Sequence, residues 1–192
     1  MGFLRITLAA AALLSAGPAL AHTGAGAVHG FAAGFAHPML GFDHLLAMVA
    51  VGLWAALVGG RALWAWPLAF TGVMVVGAGL GFAPLGLPHL ELSIGVSVVL
   101  LGLAAAFQLS LPVLAGAGLC GFFALFHGYA HGAEIPVEAG ASAYVAGFTL
   151  ATMMLHAAGL VVGSAMIRVD RVWLPGLSGA AVATAGIVLL VA

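Results

Sequence analysis

The sequence predicts an all-α fold: a polytopic membrane helix bundle of about six transmembrane helices. A cleaved signal peptide precedes it, and a short re-entrant or interfacial N-terminal segment leads into the first span. Three observations predict this class. Of 192 residues, 65% are hydrophobic and only 5% are charged, with no lysine, whereas a soluble domain keeps about a quarter of its residues charged. The apolar runs approach the roughly 20 residues that a helix needs to cross the hydrocarbon core. The 29 glycines lie within those runs, where small residues let helices pack closely in lipid. The same composition excludes other classes. A net charge of -1 with four scattered arginines offers no basic patch for nucleic acid. The single cysteine excludes an internal disulfide and a cysteine-based zinc cluster.

Residues 1–21, MGFLRITLAAAALLSAGPALA, read as the signal peptide: one arginine, an apolar stretch, then the small-x-small pattern Ala19-Leu20-Ala21. Cleavage there leaves 22–192 as a single transmembrane unit with His22 as its first residue. The segment HTGAGAVHGFAAGFAHP is too short and too rich in glycine for a clear span, so it is the expected re-entrant or interfacial piece. Spans are predicted at 40–59, 62–82, 89–108, 111–131, 141–167 and 172–191, separated by short breaks rich in glycine, proline or arginine. Gly77/Gly81 and Gly159/Gly163 are small-xxx-small pairs and predict tight helix crossings. Trp54, Trp64 and Trp66 are expected to mark an interface around Arg61, with Tyr129 and Trp173 as further interfacial anchors.

Orientation follows from the arginines. If residue 22 starts outside the cytoplasm, the connections holding Arg61 and Arg168/Arg171 lie inside, as does Arg5. That agrees with the positive-inside rule. The mature N-terminus is therefore expected outside the cytoplasm.

On that topology the histidines and acids gather in the outer half. His22, His29 and His37 precede the first span, Asp43 and His44 open it, and His127, His131 and Glu134 close the fourth. His89 and Glu91 open the third span, and His156 alone falls near mid-membrane. His127 and His131 are four apart and share a helix face, with Glu134 continuing the stripe. His37 and His44 share a face if one helix runs back past Pro38, with proline in its first turn. Asp43 is either a ligand or the acceptor that fixes the tautomer of a liganding imidazole. Neutral imidazole and carboxylate suit Ni²⁺, Co²⁺ and Zn²⁺, and ionisable groups inside a membrane mark ion pathways. Met48, one turn below His44, is a possible soft ligand but more naturally packing. The chain holds no nucleotide-binding motif, calls for no prosthetic group, and leaves its oligomeric state open. Other classes with similar ligand sets are an intramembrane zinc hydrolase with Glu134 as its acid or base, a periplasm-facing metal sensor or delivery protein, and a haem protein with paired histidines as axial ligands.

The stretch HPMLGFDHLLAMVAVGLWAA resembles the first-helix signature of the HupE/UreJ family of nickel and cobalt permeases, His-Pro-x-x-Gly-x-Asp-His followed by Met and Val-Gly. His37, Pro38, Gly41, Asp43, His44, Met48, Val51 and Gly52 match it. FHGYAHGAEIP resembles the family's second motif, carried by His127, Gly128, His131, Gly132, Glu134 and Pro136. A weaker echo is FTLATMMLHAAG, with Thr152 and His156 one turn apart. The resemblance covers essentially the whole chain. It implies secondary transport of Ni²⁺, or of Co²⁺, into a bacterial cell, and no enzymatic activity. The expected metal ligands are His37, Asp43, His44, His127, His131, Glu134 and His156, with His22, His29, Met48 and Thr152 as further candidates. Ligand histidines must be neutral, so uptake is expected to fall as the pH drops through roughly 6.5.

Overall fold

The computed structural model describes residues 30–83, 86–135, 140–169 and 173–192. The signal peptide, His22, His29, Pro136 and Arg171 lie outside the described residues. Within them the fold is all-α, with no strand among the described residues. The helices are α1 (Phe31–Leu40), α2 (Phe42–Val58), α3 (Ala62–Gly81), α4 (Leu90–Ala106), α5 (Val113–Ala133), α6 (Ala141–Arg168) and α7 (Trp173–Val191). Four of them, α3, α5, α6 and α7, are long and apolar enough to cross a membrane. The α1–α2 pair makes a fifth if it is counted as one broken span, and α4 is a shorter apolar helix.

The first span differs from expectation. His37 and His44 do not share one continuous helix, because α1 and α2 meet at an 81° bend. Pro38 sits inside α1 rather than in a first turn. Its ring removes a backbone donor, and Gly41 follows in an extended conformation, φ -83° and ψ 109°, so the helix cannot run on. The bend swings His37 back over the start of α2 and not away from it.

Helix pairing does not follow chain order. α3 packs chiefly on α5, α4 on α7, and α2 on α6, which also carries α1. Small residues set these pairs. A Cβ added at Gly77 would lie 2.5 Å from the carbonyl oxygen of Leu125, and one at Gly128 would collide with the Met74 carbonyl. Gly159 likewise faces the Val49 carbonyl, seating α6 on α2. Backbones in lipid have no hydrophobic force between them, so this close approach and the dispersion it brings hold the bundle.

The tryptophans correct another expectation. Trp54 and Trp66 are fully buried and pack against each other, their planes tilted by 37° and their ring centroids 4.1 Å apart. Their indole N–H groups donate to the carbonyls of Leu109 and Val113, each at 2.9 Å. A buried indole needs an acceptor; the turn before α5 supplies one and the first residue of α5 the other. Tyr129 is also buried, whereas Trp64 and Trp173 are exposed. The bundle has two distinct ends. Leu63 and Arg168 line one cleft, at the end where Trp66 meets Val113. The last turn of α3 reaches the last turn of α5 at the other end, where Gly81 faces Tyr129 and Ala133.

Gly77→Val is expected to destabilise the detergent-solubilised protein by about 1–3 kcal/mol or more through overpacking. Gly79→Val on the same helix, where a Cβ would meet nothing within 4 Å, is expected to be near neutral. Thermal unfolding of the two variants followed by size exclusion checks this.

Candidate metal site

Five helices, α1, α2, α4, α5 and α6, contribute polar side chains to one column in an otherwise apolar bundle, and α3 lends it an aromatic ring. It begins at the end remote from Arg168. His37 of α1, His44 of α2 and His131 of α5 each offer one ligand atom, and these atoms lie within 4.8 Å of one another. The His37 and His131 ring centroids are 4.7 Å apart and those of His44 and His131 are 4.6 Å apart. His44 and His131 are buried and His37 is partly so. Glu134, just past the end of α5, brings Oε2 to 3.3 Å from His37 Nε2.

The Gly-x-Asp-His joint is built around one carboxylate. Asp43 folds back on its neighbour: its Oδ1 accepts from the His44 backbone N–H at 2.7 Å and meets His44 Nδ1 at 2.8 Å. A Cβ at Gly41 would sit 3.1 Å from that Oδ1, so only glycine leaves the carboxylate ample room. A carboxylate oxygen accepts, so in the neutral ring the His44 proton is on Nδ1 and Nε2 is a bare lone pair. Nε2 is buried and has no hydrogen-bond partner among the described residues. Through Oδ1, Asp43 is placed to orient His44, which is one of the two roles open to it from the sequence.

His127, four residues before His131, is the next ring inward, 4.8 Å from His44 between centroids. It is fully buried, and its Nε2 lies 2.8 Å from Ser97 Oγ on α4. Beyond it stands Phe70 of α3, with its ring centroid 5.5 Å from His127 and 5.2 Å from His156. His156 of α6 is buried against the same Phe70 ring, and its Nδ1 is 3.1 Å from the Met48 carbonyl oxygen. A carbonyl only accepts, so His156 is also Nδ1–H, with Nε2 bare and unpartnered among the described residues. Both nitrogens of His131 lack a partner among those residues too, while its ring stacks on Phe148 at 4.7 Å.

Of the residues singled out in the sequence, His37, His44, His131, His127, Asp43 and Glu134 come together, and His156 is joined to them through Phe70, whose ring meets both it and His127. Met48 is fully buried and serves His156 through its carbonyl. Its sulfur accepts the Thr152 hydroxyl at 3.2 Å. His89 and Glu91 are exposed and are not in the group. Ser97, Phe70 and Phe148 were not read as site residues from the sequence. A hydroxyl deep in an apolar run was the available signal for Ser97, whereas the two phenylalanines look like any core aromatic.

Imidazole lone pairs left bare in a buried position are costly. The donor set of neutral imidazoles with a carboxylate beside them is that of a borderline divalent cation.

The comparisons with known proteins agree along the whole chain. The family model described as HupE / UreJ protein matches residues 10–189. The chain is 44% identical to Protein HupE of Rhizobium leguminosarum bv. viciae over 193 residues, covering all of both chains. No solved structure matches. The chain belongs to the HupE/UreJ family.

Proposed function

We propose that the chain is a secondary permease, not an enzyme, carrying Ni²⁺ or, as the alternative cargo, Co²⁺ across the bacterial inner membrane. The observation that carries this reading is the convergence of His37, His44 and His131, three ligand atoms within 4.8 Å, inside a bundle of apolar helices. Metal–imidazole bonds of about 2.0–2.1 Å hold tetrahedral donors roughly 3.4 Å apart. The trio needs side-chain shifts of about an ångström to close on an ion. Glu134 supports His37, and Asp43 supports His44.

The proposed topology has six crossings after the signal peptide, with the mature N-terminus in the periplasm. α1 and α2 form the bent first span. α4, 17 residues long, covers about 26 Å at 1.5 Å per residue, and tilt or local thinning of the bilayer accommodates it. Arg61 and Arg168 then face the cytoplasm at the end away from the histidines, as the positive-inside rule requires. The cation sheds water at the outer trio, with His127 as its inner neighbour, and His156 is the next station. Phe70 forms a dry partition between the two, and rocking of the bundle along its glycine contacts opens the inner station to the cytoplasm. With no nucleotide motif, the ion gradient, the membrane potential or trapping inside the cell supplies the drive.

Uptake of ⁶³Ni²⁺ into proteoliposomes is expected to fall at least tenfold in His44→Ala relative to wild type. Equal uptake by the two removes the core of the reading, and competition by unlabelled Co²⁺ ranks the cargoes. His156→Ala is expected to behave differently: it binds Ni²⁺ in detergent with near wild-type affinity yet carries it at less than a tenth of the rate. A parallel loss of affinity and flux there would mean one site in place of two.

A further inference from the structure

We infer that Ser97 of α4 is a positioning residue that fixes which nitrogen of His127 faces the cation. The inference rests on the proposed transport only for the use made of that nitrogen. Two short distances carry it. Ser97 Oγ lies 2.6 Å from the Ile94 carbonyl oxygen and 2.8 Å from His127 Nε2. Two oxygens that close need a proton between them, and the carbonyl has none to give, so the single serine proton is spent on Ile94. The contact with His127 needs a proton as well, and only the imidazole can provide it. His127 is therefore the Nε2–H tautomer, donating to Ser97 Oγ, and its Nδ1 is a bare lone pair. That Nδ1 is buried and has no hydrogen-bond partner among the described residues.

The assignment is opposite to that of the other two oriented imidazoles. His44 and His156 are held at Nδ1, by the Asp43 carboxylate and the Met48 carbonyl, and present Nε2. A donor at Nδ1 lies nearer the backbone than one at Nε2, so His127 meets an ion close against the wall of α5. The serine needs no imidazole for its own sake, because its bond to Ile94 already satisfies a hydroxyl inside an apolar helix. α4 otherwise carries no histidine, cysteine or acid after Glu91. Ser97 is thus the point through which α4 acts on the site, as groups bonded behind metal ligands do elsewhere.

The test uses the full chain in detergent, metal-free at pH 8, labelled with ¹⁵N-histidine and with His127 assigned by difference from His127→Gln. The wild-type spectrum is expected to show His127 protonated at Nε2 and bare at Nδ1. In Ser97→Ala that preference is expected to be lost, and the Kd for Ni²⁺ alone to rise roughly 10–100-fold. Ser97→Thr, which keeps the hydroxyl, is expected to restore both. A wild-type His127 protonated at Nδ1 overturns the inference. So does a Ser97→Ala protein with lower thermal stability but unchanged tautomer and unchanged Kd, since that is a purely structural serine. Wild type with the stated tautomer that binds neither Ni²⁺ nor Co²⁺ sinks the proposed function, while the Ser97–His127 assignment stands.

Discussion

Buried imidazole nitrogens without partners are the constraint on which the rest of this structure depends. In a soluble protein such a nitrogen finds water. Between helices built to face lipid it has only what the neighbouring helices bring. Here His44, His127 and His156 each have one nitrogen tied to a carboxylate, a hydroxyl or a carbonyl, and the other left bare. The tied side fixes ring direction and tautomer; the bare side stores affinity for something electron-poor. A core of the same volume built from leucine would be simpler to fold, which makes the lone pairs a functional feature and not a packing one.

The fold is arranged to hold that column. Glycines at the α3–α5 and α2–α6 crossings remove side chains from the path, so the helices carrying His44, Phe70, His127 and His156 stand backbone to backbone. Ring-to-ring spacing near 5 Å follows from that approach. The bend at Gly41 does the remaining positioning: it returns His37 to the same point from a separate short helix, 5.7 Å from His44 between centroids. The tryptophan pair Trp54–Trp66 closes the opposite end with two hydrogen bonds to carbonyls at and just before the start of α5.

Much of this was legible in the sequence because it obeys periodicity and composition. The scarcity of charge gives the lipid environment, the length of each apolar run gives its helix, and the i, i+4 spacing of His127 and His131 gives their common face. What was not legible depends on which helices meet. Whether Trp66 is an interfacial anchor or a buried donor turns on a carbonyl 47 residues away. Ser97 and Phe70 carry no pattern of their own and become site residues only when α4 and α3 are set against α5. The bend between α1 and α2 was half-visible: Pro38 and Gly41 are both in the motif, yet proline at a first turn and proline before a break look alike in one dimension.

The central claim is that imidazoles from separate helices bind one dehydrated ion together. Nickel K-edge X-ray absorption on the purified, Ni²⁺-loaded chain tests it most directly. The account predicts a first shell containing about three imidazoles, seen through their outer-ring scattering, and a spectrum that loses at least one of them in His131→Ala. A shell made of water and carboxylate oxygens alone, unchanged by that substitution, would contradict it.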